Sequence, residues 1–250
     1  MTKSKQWNQA SMNRILLTMS LLALAGGGLT GQEKKQETIA VSLYAFDYAK
    51  GHETVYLARG KKMPQEIRLS TANILGVYST VLDDDSRVVI RTREENEEGM
   101  IIYPPIAHME IPANVKDPLL ILLPALTETG DATYKILVID RSLGNFPEGS
   151  YRLINFSPRD VRGLIGKAKV YAAARKMSSF NPSDTDAHQL DVYFQYKEKE
   201  SWETFGRTRW VTDKKKRGLL CAYLDPRTRR MNIRGIPMSL IPPLPEKEAP

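Results

Sequence analysis

Turn-forming residues interrupt this chain about every ten residues, and no stretch between them has the length and 3.6-residue apolar spacing of an amphipathic helix. A chain punctuated in this way builds its core from short strands. In residues 38–44, Ile39, Val41 and Leu43 fall on one face by alternation. Residues 54–57 and 66–70 continue the pattern, with Gly60 and Pro64 as punctuation. Residues 75–82 and 87–91 flank Asp83, Asp84, Asp85 and Ser86, which reads as a hairpin. An acidic run between Glu94 and Gly99 marks the next turn, ahead of the apolar residues 100–103. Pro104, Pro105 and Pro112 confine the following segment to an edge or bent strand. Residues 118–124 are apolar throughout and bounded by prolines; the run is too short for an independent helix and suits a strand buried on both faces. Residues 134–140 close this first set.

The chain then turns at Pro147, Glu148 and Gly149, where proline pre-sets φ and glycine supplies a positive φ. A short apolar strand over 151–156 follows and stops at Ser157 and Pro158. Further strands are expected at 169–172, 190–196, 202–211, 217–224 and 231–236. The cleanest is 190–196, with Leu190, Val192, Phe194 and Tyr196 on its core side. Residues 168–177 are alanine-rich and also read as a short helix. Residues 178–188 read as a loop. The fold class is therefore all-β, as two β-sandwich-like modules, with one large sandwich or barrel as the alternative. The expected divisions are a signal peptide at 1–31, a polar leader at 32–37, a first β domain at 38–142, a second, more basic one at 143–237, and a proline-rich tail at 238–250.

Residues 1–31 have the layout of an export signal: Lys3, Lys5 and Arg14, an apolar core at 15–25, then small residues at Gly26, Gly27, Gly28, Thr30 and Gly31. Met12 offers an alternative start. The core is shorter than the roughly 20 residues of a membrane span, so cleavage and a periplasmic or secreted location are expected. The formal charge of +7 falls to +4 without those three bases. Charged residues make up 26% of the chain and hydrophobic ones 42%, which suits a folded protein rather than a disordered one. Cys221 is the single cysteine, so no intramolecular disulfide can form. Within the apolar run 219–223 it reads as a small core residue rather than a reactive thiol.

Catalytic motifs are missing. His52, His108 and His188 have no zinc-ligand spacing, and neither a nucleophilic Gly-x-Ser-x-Gly nor a phosphate-binding glycine loop is present. Asp83, Asp84 and Asp85 invite a calcium reading but lack alternate-position ligands, and a solvated turn is favoured. No metal site and no cofactor are expected. Asn155, Phe156 and Ser157 match a glycosylation acceptor, followed by Pro158.

Charge is where the sequence has a slope. After residue 200 eleven bases stand against five acids, more than the whole excess of the shortened chain. A polyanion-binding surface would use Arg207, Arg209, Lys214, Lys215, Lys216, Arg217, Arg227, Arg229 and Arg230, interleaved with Trp202, Phe205, Trp210 and Tyr223. In an unbroken strand Trp202, Thr204, Thr208 and Trp210 share the core face, with Arg207 and Arg209 outside. Residues 214–217 and 226–230 then read as basic hairpin turns, and a basic rim that only aids solubility is the plainer reading.

The signal, the segment from Phe146 through Asn155 and the strand between Trp202 and Trp210 together resemble uncharacterised exported β-rich bacterial proteins. That resemblance implies export and a β fold, and no activity. The expected function is that of an exported, non-enzymatic β-sandwich protein with a structural or binding role, its partner an envelope component or another protein. The alternative is a module binding acidic polysaccharide or nucleic acid, and a hydrolytic enzyme comes a distant third.

Overall fold

The computed structural model describes residues 37–182, 189–211 and 215–241, so residues 1–36, His188, Lys214 and residues 242–250 lie outside the described residues. The described chain is all-β. Its strands are β1 (Thr38–Ala45), β2 (Thr54–Arg59), β3 (Lys62–Arg68), β4 (Ile74–Val81), β5 (Arg87–Arg91), β6 (Glu94–Glu95), β7 (Ile101–Ile102), β8 (Pro105–Glu110), β9 (Pro118–Leu126) and β10 (Ala132–Asp140). They continue with β11 (Tyr151–Asn155), β12 (Val161–Ile165), β13 (Ala168–Ala172), β14 (Met177–Phe180), β15 (Gln189–Glu198), β16 (Ser201–Val211), β17 (Gly218–Leu224), β18 (Met231–Pro237) and β19 (Leu240–Ile241).

Four main sheets form, and none closes into a barrel. Sheet I has the order β10-β9-β1-β4-β19 and sheet II the order β3-β2-β5-β8. Sheet III runs β14-β11-β17-β18 and sheet IV runs β13-β12-β15-β16. Sheets I and II enclose one core, with Leu43, Leu57, Ile90 and Leu120 at its centre. Sheets III and IV enclose another around Leu153, Val192, Phe194 and Leu220. The run at Leu119, Leu120, Ile121 and Leu122 is fully buried on both faces: Leu120 and Leu122 face the first core, while Leu119 and Ile121 face away from it.

The two sandwiches have the same topology. Setting aside the two-stranded β6–β7 ribbon and β19, strands β1 to β5 and β8 to β10 correspond in order to β11 to β18. Each module pairs its first strand in parallel with its seventh, β1 with β9 and β11 with β17. Every other pairing within the modules is antiparallel and matches one for one. The register agrees as well. Leu43 lies opposite Leu120 as Leu153 lies opposite Leu220, and Tyr44 opposite Ile121 as Ile154 opposite Cys221. Just beyond, Phe46 N–H donates to the Leu122 carbonyl and Phe156 N–H to that of Ala222, both at 2.8 Å.

Sheets I and III pack on each other through these equivalent faces. Tyr44, Phe46, Leu119 and Ile121 from one module meet Ile154, Leu219, Cys221 and Ile236 from the other in a third apolar core. Large apolar side chains buried this way each contribute roughly 1.5–3 kcal/mol. A polar hub sits at the connector between the modules. Asp140 accepts from Asp117 N–H (3.1 Å), Ser142 N–H (2.9 Å), Ser142 Oγ (2.9 Å) and Asn145 Nδ2 (2.7 Å). Burial alone would raise its pKa, but these donors outweigh it and hold the carboxyl at about 2. Phe146, buried beside the hub, lies between the guanidinium groups of Arg152 (4.7 Å) and Arg217 (5.6 Å).

Four local expectations are corrected. Asp83 to Ser86 is a crossover rather than a hairpin, because β4 joins sheet I and β5 joins sheet II. Residues 168–177 are not a helix: sheet pairing overrides alanine propensity and makes β13, a turn and the start of β14. The expected loop at 178–188 begins as strand, since β14 continues to Phe180. Residues 215–217 likewise lie on the passage from sheet IV to sheet III and form no hairpin.

Candidate functional site: the outer face of sheet IV

In each strand of sheet IV one set of alternating residues fills the core and the other points outward. Inward go Val161 and Ile165 of β12 and Leu190, Val192 and Phe194 of β15, all buried. Gly163 completes the inward set of β12, where an added Cβ would lie 2.6 Å from the Phe194 ring, so only glycine admits that ring beneath the strand. The outward residues then align across the sheet by register. One row reads Tyr171, Arg162, Gln195, Thr204. The next reads Lys169, Leu164, Tyr193, Arg207, and beyond it Asp191 lies opposite Arg209.

Hydrogen bonds and ring contacts hold these rows. Arg162 Nε donates to Gln195 Oε1 at 2.9 Å, and Gln195 Nε2 donates to Thr204 Oγ1 at 3.3 Å. The Arg162 guanidinium lies 4.2 Å from the Trp202 ring centroid, and that of Arg207 lies 5.2 Å from Tyr193. Arg209 pairs with Asp191 at 3.0 Å, an exposed ion pair of little net energy. Leu164 and Tyr171 remain 38% and 51% exposed, an apolar surface that solvent leaves uncompensated. Between these side chains lies a shallow groove of about 760 Å³.

Trp202 reaches this face because of a β-bulge. Phe194 pairs with Gly206 but Gln195 pairs with Thr204, so Phe205 is an extra residue in β16. Phe205 and Trp210 pack against the core, while Trp202 is thrown to the outer face. The expectation that both tryptophans share the core side is thus corrected. Glycine at 206, inside a strand pattern, was the one signal of the bulge.

The first module shows part of the equivalent face covered. There the outward residues Tyr56 and Val89 of sheet II are buried, 8% and 7% exposed. Residues 92–104, which carry the β6–β7 ribbon, fold back so that the Tyr103 ring lies 5.1 Å from that of Tyr56. Arg91 Nη1 fixes the segment by donating to the Tyr103 carbonyl at 2.9 Å. In the second module Lys199 and Glu200 alone connect the equivalent strands, and sheet IV stays bare.

The basic residues singled out in the sequence are dispersed. Arg207 and Arg209 lie on the outer face of sheet IV. Lys215 and Lys216 lie before β17, whereas Arg227, Arg229 and Arg230 lie in the turn after it, a strand of roughly 23 Å away. That turn is organised by Asp225, whose Oδ1 accepts from Arg227 N–H (2.8 Å) and Thr228 N–H (3.0 Å). Arg217 is half-buried and donates to the carbonyls of Arg141 (2.7 Å) and Phe146 (2.8 Å), which makes it a structural cation of the connector. No local sequence signal marks Arg162, Lys169, Tyr171 and Tyr193, because only the strand register brings them beside Arg207.

The remaining candidates resolve into structure. Cys221 is buried between the modules, and desolvation pushes its thiol up to about 12, which leaves no nucleophilic thiolate near neutral pH. Asp83 turns its carboxylate on its own loop, accepting from Asp85 N–H and Arg87 N–H and pairing with the Arg87 guanidinium at 2.9 Å. Among the described residues no group of three or more His, Cys, Asp or Glu could hold a metal ion. Asn155 is buried, its Nδ2 donating to the carbonyls of Arg159 (2.7 Å), Ala172 (3.1 Å) and Ala173 (3.0 Å), so its amide is unavailable to a sugar in the folded chain. No helix among the described residues is long and apolar enough to cross a membrane. The sequence matches no protein-family model, and no curated protein matches it.

Proposed function

We propose that this chain is an exported binding protein, not an enzyme, and that the outer face of sheet IV recognises an acidic polysaccharide outside the cytoplasm. The observation that carries this reading is the open face itself, where Arg162, Lys169 and Arg207 stand in register with Leu164, Tyr171 and Tyr193, and Arg162 stacks on Trp202. A sugar ring offers a flat face of C–H bonds that packs on aromatic and apolar side chains, and its carboxylates or sulfates pair with guanidinium and ammonium groups. Two cross-strand rows and a shallow groove suit a chain lying along the surface better than an enclosed small molecule. The charged, apolar and small-residue blocks of residues 1–31 support export.

Binding to alginate across a salt series, with duplex DNA in parallel, tests this. Affinity for alginate should fall as salt rises, because each neutralised charge releases counterions. Replacing Arg162 and Arg207 with serine should flatten that dependence. Trp202→Ala should weaken binding at every salt without changing the slope. A response to DNA equal to that to alginate would assign the face to polyanions in general, and no binding at low salt would remove the proposal.

A further inference from the structure

A second recess, of about 950 Å³, opens between the two modules on the side away from the connector hub, where the apolar core between sheets I and III ends. Its floor is aromatic. Phe46 meets Tyr223 edge to face with centroids 5.0 Å apart, and the Arg234 guanidinium lies 4.6 Å from the Phe46 ring and donates to the Phe46 carbonyl. Its rim is cationic and comes from both modules: Lys135 from β10 of the first, and Arg175, Lys176 and Arg227 from two turns of the second. Against these stand Asp47 and Asp225. Among the described residues no carboxylate lies within ion-pair distance of Lys135, Arg175, Lys176, Arg227 or Arg234.

The turn that presents Arg175 and Lys176 is held rigidly. Asn155 grips it from below through the Ala172 and Ala173 carbonyls, Asp160 Oδ1 accepts from Ala174 N–H at 3.0 Å, and Lys176 N–H closes on the Ala173 carbonyl at 3.0 Å. Arg175 sits at φ 59°, a conformation that costs a residue with a Cβ. The lining carries five cations, Lys135, Arg175, Lys176, Arg227 and Arg234, against the two carboxylates of Asp47 and Asp225, and an anion seated there gains from that excess. The volume falls within the roughly 300–1,000 Å³ usual for small-molecule sites, which gather where domains meet.

We infer that this recess binds a small multivalent oxyanion, carrying two or more phosphate or carboxylate groups, which bridges Lys135 of the first module to Arg175, Lys176 and Arg227 of the second. The site is separate from the outer face of sheet IV and does not depend on that face binding a polysaccharide. A bridging anion adds contacts across the inter-module core only when the modules are closed, so it slows any opening that exposes Cys221.

Calorimetric titration of the full chain with inorganic tripolyphosphate and, separately, with citrate tests the site at low salt, with thiol labelling of Cys221 as a second readout. At least one probe should bind and should slow the labelling. Arg175→Ser with Lys176→Ser, or Lys135→Ser alone, should weaken binding roughly tenfold or more, as expected for the loss of a charge-assisted hydrogen bond. Arg162→Ser with Arg207→Ser should leave it unchanged. Heat from neither probe would overturn the inference, as would equal weakening by the outer-face variant or unchanged Cys221 labelling at saturation. Whether tripolyphosphate or citrate binds more tightly distinguishes a phosphate ligand from a carboxylate one.

Discussion

The rings of Phe46 and Phe156 meet edge to face, centroids 5.3 Å apart and planes at 70°, and the two residues hold the same position in their respective modules. Contact between equivalent residues is the mark of a self-complementary interface, here made within one chain. Aromatic pairs of this geometry add about 0.5–1.5 kcal/mol beyond their burial.

Cys221 reports on that interface. Its thiol is buried and its pKa stands at about 12, so labelling at mildly alkaline pH requires the modules to part. Phe46→Ala removes the contacts with Phe156 and Tyr223 and should lower stability by about 3 kcal/mol or more. Cys221 labelling should accelerate in step. A variant with lowered stability but unchanged labelling would mean that the thiol is exposed by another route.

Asn155→Ala should cost about 3 kcal/mol or more. The Ala172 and Ala173 carbonyls lose their side-chain donor, and the Ser157 N–H and Oγ lose the Asn155 Oδ1 acceptor at 3.0 and 2.7 Å. Denaturant midpoints measure it, and a loss below about 1 kcal/mol would show that water replaces these partners.

Asp140 sets an acid limit. Its folded pKa of about 2 lies below the roughly 3.9 of an unfolded aspartate, so its contribution is complete above that unfolded value and disappears as pH falls through about 2. Asp140→Asn should therefore be less stable than the parent near neutral pH, and the gap should close as pH approaches 2. Urea unfolding at a series of pH values reads this directly; a gap independent of pH would contradict it.

Arg217 and Arg207 should separate stability from binding. Arg217→Ala strips donors from the Arg141 and Phe146 carbonyls and a cation from the Phe146 ring, and should cost about 2 kcal/mol or more. Arg207→Ser loses only a cation–ring contact with half-buried Tyr193 and should leave thermal stability nearly unchanged while weakening alginate binding. The opposite pattern would move the polymer site to the connector.

What could be read from the sequence was decided by local physics. The unbroken apolar run at Leu119 to Leu122 declares burial on both faces, and the alternation of Leu190, Val192 and Phe194 declares one buried face. Turn chemistry at Asp83 announces that the chain reverses but not which sheet the next strand joins, so the crossover there was hidden. The duplicated topology was hidden too, because aligned segments such as Ser42-Leu43-Tyr44-Ala45-Phe46 and Arg152-Leu153-Ile154-Asn155-Phe156 share only a leucine and a phenylalanine. Of the outer face, Arg207 and Arg209 were visible as charge. Arg162, Tyr171 and Tyr193 became neighbours only through pairing across three strands.

Covalent joining of two like modules has a consequence for the covering ribbon. In a dimer of identical chains a segment laid over one sheet is laid over its twin as well, so both outer surfaces are closed or both are open. A single chain escapes that equality: residues 92–104 lay Tyr103 over Tyr56 of sheet II, while Leu164 and Tyr171 of sheet IV stay exposed. The molecule is thus one-sided, and a polymer held on its open side would leave the shielded side turned to the surroundings.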